Sequence, residues 1–448
     1  MCVRYIKKDP IFCDICSHRE IPAIIYLYMK VFKFGGASVN SVERVKNTGE
    51  ILKEYAGEKL LVVISAMGKT TNALEKVTDS FYANRKEEAL ALFEQVKQQH
   101  LTIAKYLLVT HYLACEKQLK DFFTEVEWLL HDKPVREYDY YYDQVVCVGE
   151  LLSTSIISHY LNEMEIANKW LDVRDIIRTD DNFRDATIDW NYTTAKIQEN
   201  VKPLFATTDI VLTQGYIGAT DENESTTLGR EGSDYTAAVF ANILETESLT
   251  IWKDVESVMN ADPKQFPDAQ PLPELNYNEV IEMAYYGAQV IHPKTIKPLQ
   301  NKSIPLYVKC FLDPSLPGTV IHNQHLKQLP PIIVLKEKQV MLQLNSKDFS
   351  FVGEHHVGEL YHLFEKIKIK PNLTQNGAIS FVCVVDNQGE KTERLAMEAA
   401  AIFDTQVTKD LSLLTIRHYT GEFFDKLTAG KTILLKQQTP ETVQVLMR

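Results

Sequence analysis

The stretch KVFKFGGASVNSVERVKNTGEIL, Lys30 to Leu52, reads as strand, glycine turn and helix. Val31, Phe32 and Phe34 have strand character. Gly35 and Gly36 end the run, Ser38 or Asn40 is placed to cap a helix, and Val42, Val45 and Leu52 fall on one helical face. The rhythm returns in KLLVVISAMGKTTNAL, Lys59 to Leu74, where the apolar strand Leu60 to Ile64 meets a small-residue turn and another helix. An unbroken apolar strand between helices belongs to a parallel sheet covered on both faces. Two later segments repeat the strand-then-loop unit: TDIVLTQGYIGAT (Thr208 to Thr220), ahead of a helix from Tyr235, and SLTIWKDVESVMNADP (Ser248 to Pro263). Residues 74 to about 135 carry no glycine or proline before Pro134 and read as a helical layer, and CVGELLSTSIISHYL opens a further helix with Glu150 near its start. The strand Ser303 to Phe311 closes this half in this reading.

The chain has 448 residues, enough for two or more domains. A net charge of -12 argues against a nucleic-acid partner, which needs a basic face, but leaves room for a locally basic small-molecule site. Apolar runs are too short for a membrane span, Ile21 to Tyr28 included. Seven scattered cysteines point to a reducing, cytoplasmic setting. Cys13 and Cys16 form a lone pair with no second pair to complete a zinc site. Residues 1–28 read as a disordered extension ahead of the first strand, which Met29 directly precedes.

The tail changes rhythm. Prolines in DPSLPGTVI and KQLPPIIV mark a linker over 323–336. After it come a strand QVMLQLN, a helix Gly358 to Ile367, strands KPNLTQN and AISFVCVVD, a helix Glu393 to Phe403 and a strand LSLLTIRHY. That order, βαββαβ, is a ferredoxin-like α+β unit. The last thirty residues or so suffice for one short helix and two strands, which can extend the unit's sheet or protect its edge.

Three glycine turns follow three strands: Gly35-Gly36, Gly68, and Gly229 with Gly232. Ligands of open α/β sheets bind at the carboxyl ends of strands, where helix N-termini attract anions. These turns carry Lys33, Ser65, Thr71, Arg230 and Asp234. The densest is TTLGREGSDYTAA, Thr226 to Ala238. The P-loop GxxxxGK(S/T), the kinase HRD loop and the GxGxxG fingerprint are all missing, so a phosphate-handling enzyme outside those families remains.

Seven motifs in register, KFGGAS, GELLSTSI, WLDVRDIIRTDD, TQGYIGAT, TTLGREGSDYTAA, WKDVESVMNADP and GAQVIHPKT, resemble those of the aspartokinases of the amino-acid kinase family. The likeness spans Met29 to Ile321, and the tail resembles that family's ACT regulatory domain. It implies an amino-acid kinase fold over 29–322, with an aspartate-binding lobe to about 200 and a nucleotide-binding lobe beyond. It implies an ACT-like regulatory and dimerisation region with a truncated second unit over 337–448. The implied reaction is ATP-dependent phosphorylation of the L-aspartate β-carboxylate, with Mg²⁺ carried on the ATP phosphates, no metal ligand in the chain, and a homodimer. Lys33 and Asp234 take the catalytic roles, Asp234 holding the lysine that faces the phosphates. Thr71, Glu150, Arg230, Gly232 and Ser233 bind aspartate, Glu150 through the ammonium and Arg230 through the α-carboxylate. Lys33, Phe34, Gly35, Gly36, Ser65, Lys253, Asp254, Met259, Lys264 and Gln289 face the nucleotide. A carboxylate nucleophile ionises near pH 4 (about 3.9 for a free aspartate side chain), so it needs no general base at neutral pH. Catalysis then rests on positioning and charge stabilisation.

Two positions depart from the pattern. Gln289 stands where the family usually has lysine, so a phosphate contact is lost or Lys294 replaces it. Glu231 stands where many relatives have glycine, and its side chain is expected in solvent. In the tail, Asn372 stands where lysine-binding relatives often have aspartate, which predicts weak lysine feedback. The rival readings are a kinase for another acidic amino acid and a non-catalytic amino-acid sensor.

Overall fold

The computed structural model describes residues 29–448 apart from 325 and 327. The lone cysteine pair and the extension over 1–28 lie outside the described residues.

The first half runs β1 (Met29–Phe34), α1 (Val42–Glu54), β2 (Lys59–Ile64), α2 (Thr70–Tyr82), α3 (Lys86–Leu107), α4 (Tyr112–His131), α5 (Tyr138–Val146), α6 (Val148–Glu163), β3 (Asn168–Leu171) and α7 (Trp190–Lys196). It continues through β4 (Ile210–Gln214), β5 (Ile217–Ala219), β6 (Ser225–Thr227), α8 (Gly232–Leu244), β7 (Ser248–Lys253), β8 (Glu274–Asn276), α9 (Tyr277–Tyr286), α10 (Pro293–Lys302), β9 (Leu306–Cys310) and β10 (Thr319–His322). Eight strands make one sheet in the order β3-β4-β2-β1-β7-β9-β10-β8. Every neighbouring pair is parallel except β9 with β10. Leu60 to Ile64 and Phe32 to Phe34 are buried, as strands covered on both faces must be. The expected helical layer is three helices, α2 to α4.

Two helices are buried nearly all round and lie under the glycine turns. In α6 all but three residues are buried, and in α8 all but Asn242. A helix without a polar face has to sit inside the molecule. Three local expectations shift. The helix after Gly36 is capped by Ser41, whose side chain accepts from the Arg44 amide, because a 3-10 turn over Gly36–Val39 comes first. Helix α8 starts at Gly232, ahead of Tyr235. β9 does not close the sheet; the short strands β10 and β8 extend it.

The tail runs β11 (Ile332–Ser346), α11 (Glu354–Ile367), β12 (Pro371–Asn376), β13 (Ser380–Asp386), α12 (Glu390–Ile402), β14 (Phe403–Arg417), α13 (Gly421–Thr428), β15 (Ile433–Gln438) and β16 (Thr442–Met447). Its sheet has the order β12-β13-β11-β14-β16-β15. The first four strands pair second–third–first–fourth, the ferredoxin-like arrangement, and β16 and β15 add to it. Helices α11 and α12 bury their apolar faces over Val340, Leu342, Leu344, Phe381, Cys383 and Val385. The linker is shorter than 323–336, because Ile332 to Lys336 pair with Leu413 to Arg417 in β14. A bulge between Lys336 and Gln339 breaks the strand's alternation, with Lys338 at φ 56°.

The two halves are riveted. Arg417, from β14, donates to both carboxylate oxygens of Glu279 in α9, at 2.6 and 2.9 Å, and to Thr442 at 2.9 Å. His418 Nε2 lies 2.9 Å from the same carboxylate. Burial alone would raise the Glu279 carboxyl, but hydrogen bonds and charge from His418 and Arg417 pull it down to about 2.

Candidate functional site

The carboxyl ends of β1, β2, β4 and β7 open into one cavity of about 650 Å³. Its deepest pair is set by β1 and α8. Lys33 Nζ lies 2.6 Å from the Asp234 carboxylate, and both residues are buried. The turn leading into α8 is tight for a stated reason. A Cβ added at Gly232 would lie 2.7 Å from the Tyr216 ring, so only glycine lets backbone pass. Gly36 is similarly confined, 2.7 Å from the Ala66 carbonyl oxygen. Arg230, at the turn's tip, is exposed, and no Asp or Glu oxygen of the described residues comes within 4.0 Å of its guanidinium.

Glu150 faces the same cavity from the first turn of α6. It is 2 % exposed. One oxygen accepts from the Ala66 amide at 3.3 Å, and Oε2 has no partner among the described residues. Burial pushes its carboxyl up to about 8. A buried carboxylate without a cation is costly, so this one is suited to a cationic ligand group.

Twelve of the residues singled out from sequence line this cavity: Lys33, Gly35, Gly36, Ser65, Thr71, Glu150, Arg230, Gly232, Ser233, Asp234, Lys253 and Asp254. Four do not. Phe34 is fully buried and stacked on Trp252, so only its backbone is near. Met259 and Lys264 sit on the loop after β7, Lys264 exposed; this loop packs on the tail through Ala261, Phe266 and Ala269. Gln289 lines a neighbouring cavity of about 660 Å³ between α9, the segment 287–293 and the tail residues Lys336, Asn372 and Asp386. The Lys253 ammonium donates to the Val290 carbonyl at 2.6 Å.

Two readings change. Glu231 does not point into solvent: its Oε2 accepts from the His292 amide at 2.9 Å. The left-handed backbone of Glu231, φ 55°, aims the carboxylate at the start of α10, where unpaired N–H groups attract it. Lys294, offered as a substitute for the lysine missing at Gln289, lies outside the cavity lining: its ammonium donates to the Leu228 carbonyl at 3.0 Å and to Asp185 at 3.2 Å.

Sequence reasoning missed Tyr142, Arg184 and Tyr216, which line the cavity, and Asp143 behind it. Asp143 is fully buried and accepts from the Arg184 amide (3.0 Å), the Thr227 amide (2.8 Å) and the Thr227 hydroxyl (2.7 Å). Burial raises its carboxyl to about 6, against those hydrogen bonds. Asp143 follows three consecutive tyrosines, Tyr140 to Tyr142, in α5, and that aromatic run was the available signal.

Among the described residues no group of three or more His, Cys, Asp or Glu side chains could hold a metal, and no helix is long and apolar enough to cross a membrane. The cavity pairs a buried lysine with a carboxylate and sets a free arginine and an unpartnered glutamate in the same walls. That is equipment for an anion beside a zwitterion.

The chain belongs to the amino acid kinase family, which it matches over residues 29–310. Within that family it falls among the aspartokinases. It is 31% identical over 402 residues to "Aspartokinase 2, chloroplastic" of Arabidopsis thaliana, covering 85% of this chain and 69% of that protein. It is 28% identical to "Lysine-sensitive aspartokinase 3" of Escherichia coli K12, covering 86% of each. The crystal structure of E. coli aspartokinase III in complex with aspartate and ADP (R-state) superposes with a TM-score of 0.78 at 26% identity, over 94% of this chain and 96% of that one.

Proposed function

We propose that the cavity binds L-aspartate and ATP and transfers the γ-phosphoryl group to the β-carboxylate. A carboxylate oxygen attacks the γ-phosphorus, the bond to the β–γ bridging oxygen breaks, and ADP and 4-phospho-L-aspartate leave. One observation carries the reading: the Lys33–Asp234 pair, the free Arg230 and the unpartnered Glu150 face a single cavity.

Each group has a defined part. Lys33 supplies charge where it grows on the transferring phosphoryl group, and Asp234 fixes the ammonium in place. The N-terminal amides of α8 and the Gly35–Gly36 backbone add fixed donors. Arg230 clamps the α-carboxylate with the two-pronged geometry a guanidinium offers. Glu150 takes the substrate ammonium, and Thr71 and Ser233 complete the polar wall. Lys253 and Asp254 face the nucleotide. Mg²⁺ bound to the triphosphate would screen its charge.

The product would enter synthesis of lysine, threonine and methionine. The tail would pair two chains: Phe349, Phe351, Ile433 and Leu434 are exposed on it. Asn372 accepts from Lys336 at 2.7 Å and donates to Gln339 and Asp386, so its amide is committed within the chain. This supports weak feedback by lysine. A sensor without catalysis would have no use for a lysine held by aspartate against a phosphate site. Coupled ADP release with L-aspartate, L-glutamate and N-acetylglutamate tests the reading; no aspartate-dependent release would overturn it.

A further inference from the structure

Arg184 lines the substrate cavity, yet neither the motifs nor the reaction as drawn uses it. Its setting is unusual for a residue with no role. The backbone is left-handed, φ 70°, a conformation that costs any side chain other than glycine some strain. Asp143 holds it there through the Arg184 amide, with the same oxygen that takes the Thr227 amide. One buried carboxylate therefore fixes both the Arg184 loop and the strand leading into the Arg230 turn. The two backbones touch: a Cβ added at Gly229 would lie 3.3 Å from the Arg184 carbonyl oxygen and 2.5 Å from Asp185. Two arginines thus start from adjacent chain segments on one wall of the cavity.

The Arg184 guanidinium lies 4.2 Å from the centre of the Tyr142 ring, another lining residue. Its ion pairs, to Asp139 at 3.2 Å and Glu75 at 3.7 Å, join side chains that are all 40 % or more exposed. Pairs so exposed contribute little and are readily exchanged for a better partner. The aromatic face keeps the cation over the cavity mouth whether or not those pairs are made.

We propose that Arg184 is a specificity residue of this enzyme, a second guanidinium that shares the substrate α-carboxylate with Arg230, and that Asp143 is the residue that positions it. The proposal rests on the aspartate reading above. It makes the site demand a charged α-carboxylate more strongly than one arginine would, because a neutral group there leaves two cations unmatched.

The test compares L-aspartate with its α-amide, which keeps the reacting β-carboxylate and the ammonium. Arg184→Gly removes the guanidinium and suits the left-handed backbone. It should raise the aspartate KM about tenfold with kcat within about twofold, change kcat/KM for the α-amide less than about twofold, and leave the ATP KM unchanged. The preference for aspartate over the α-amide then shrinks about tenfold. Arg184→Lys, which keeps a charge and the native backbone, should recover part of that preference. Asp143→Asn should erode the preference in the same direction and to a smaller extent, as a merely structural defect would not. An aspartate KM within about twofold of wild type in Arg184→Gly, or equal losses on both substrates, would overturn the role. Wild-type turnover of L-aspartate is measured alongside; its absence would sink the aspartate reading rather than the assignment of Arg184.

Discussion

Glu150 and Glu279 are the same residue type, both buried, and they live opposite lives. Glu279 is met by Arg417 and His418 from the tail, and its carboxyl falls to about 2. Among the described residues Glu150 meets one backbone amide and no cation, and its carboxyl rises to about 8. The first is a fastener that holds two domains. The second is an unmatched acid, kept at a cost to stability by the fold around it. The difference teaches how to tell the two kinds of buried acid apart: the structural one is already matched from within the chain.

The largest break in the comparison comes from removing the matched acid. Glu279→Ala takes away the two-pronged partner of Arg417 and leaves it only Glu282 at 3.2 Å and Glu441 at 3.7 Å, both more exposed, and should destabilise the protein by about 3 kcal/mol. Denaturant unfolding measures it; a loss below about 1 kcal/mol would remove the distinction. Glu150→Gln should act the other way on stability. It should raise Tm at pH 8 while weakening aspartate binding by about 10²-fold, as expected when a charge-assisted contact is lost. A lowered Tm together with normal aspartate affinity would reverse the assignment.

pH sharpens the contrast. Glu279 has a depressed carboxyl, so its contribution is present above the unfolded value and is lost as pH falls from about 4.5 to about 2. Glu150 has a raised carboxyl, so its native state favours the protonated form. Its penalty is absent below about 4.5 and grows as pH rises to about 8. The stabilising effect of Glu150→Gln should therefore be large at pH 8 and small at pH 5. Thermal unfolding of both proteins at the two pH values checks this. On the proposed reading, Glu150 in the free enzyme loses its proton before it takes the substrate ammonium. The aspartate KM should fall up to about tenfold per unit between pH 6 and 8, and this slope should vanish in Glu150→Gln.

The smallest effect concerns the turn. Glu231→Gly removes the bond to the His292 amide but relieves a left-handed backbone. The two changes oppose, so stability should move by less than about 1 kcal/mol, while a looser Arg230 turn raises the aspartate KM a few-fold. Steady-state kinetics at saturating ATP reads this directly.

How much of this was legible in sequence follows from range. The glycine turns were readable because each is a local event: strand, small residues, helix start. Their convergence followed from the rule that parallel strands present one edge, and eight residues of those turns, Lys33, Gly35, Gly36, Ser65, Thr71, Arg230, Gly232 and Asp234, do line one cavity; Glu150, Ser233, Lys253 and Asp254, which line it too, were named through the family resemblance. Asp143 was not readable, because its partners stand 41 and 84 positions away and nothing near it in sequence marks it beyond its own charge. The Glu231 bond to His292 spans 61 positions and depends on where α10 comes to rest. Strands β8 and β10 have three and four residues, too few to show a period. In the tail, the bulge at Lys336 to Gln339 shifts the alternation by a step. One long strand therefore read as a linker followed by a shorter strand.

The order of the tail sheet also bears on how the protein is made. Translation delivers β16 after every other strand of that sheet, yet β16 lies inside it, hydrogen-bonded to β14 on one side and β15 on the other. Until that segment emerges, one edge of β14 from Ser412 to Arg417 is bare, and bare edges recruit strands from other chains. The interval is dangerous in proportion to crowding on the polysome, where identical nascent tails lie side by side. Slowing synthesis across the codons for β15 and β16 would lengthen that exposure, and the yield of soluble protein would fall even though the finished sequence is unchanged.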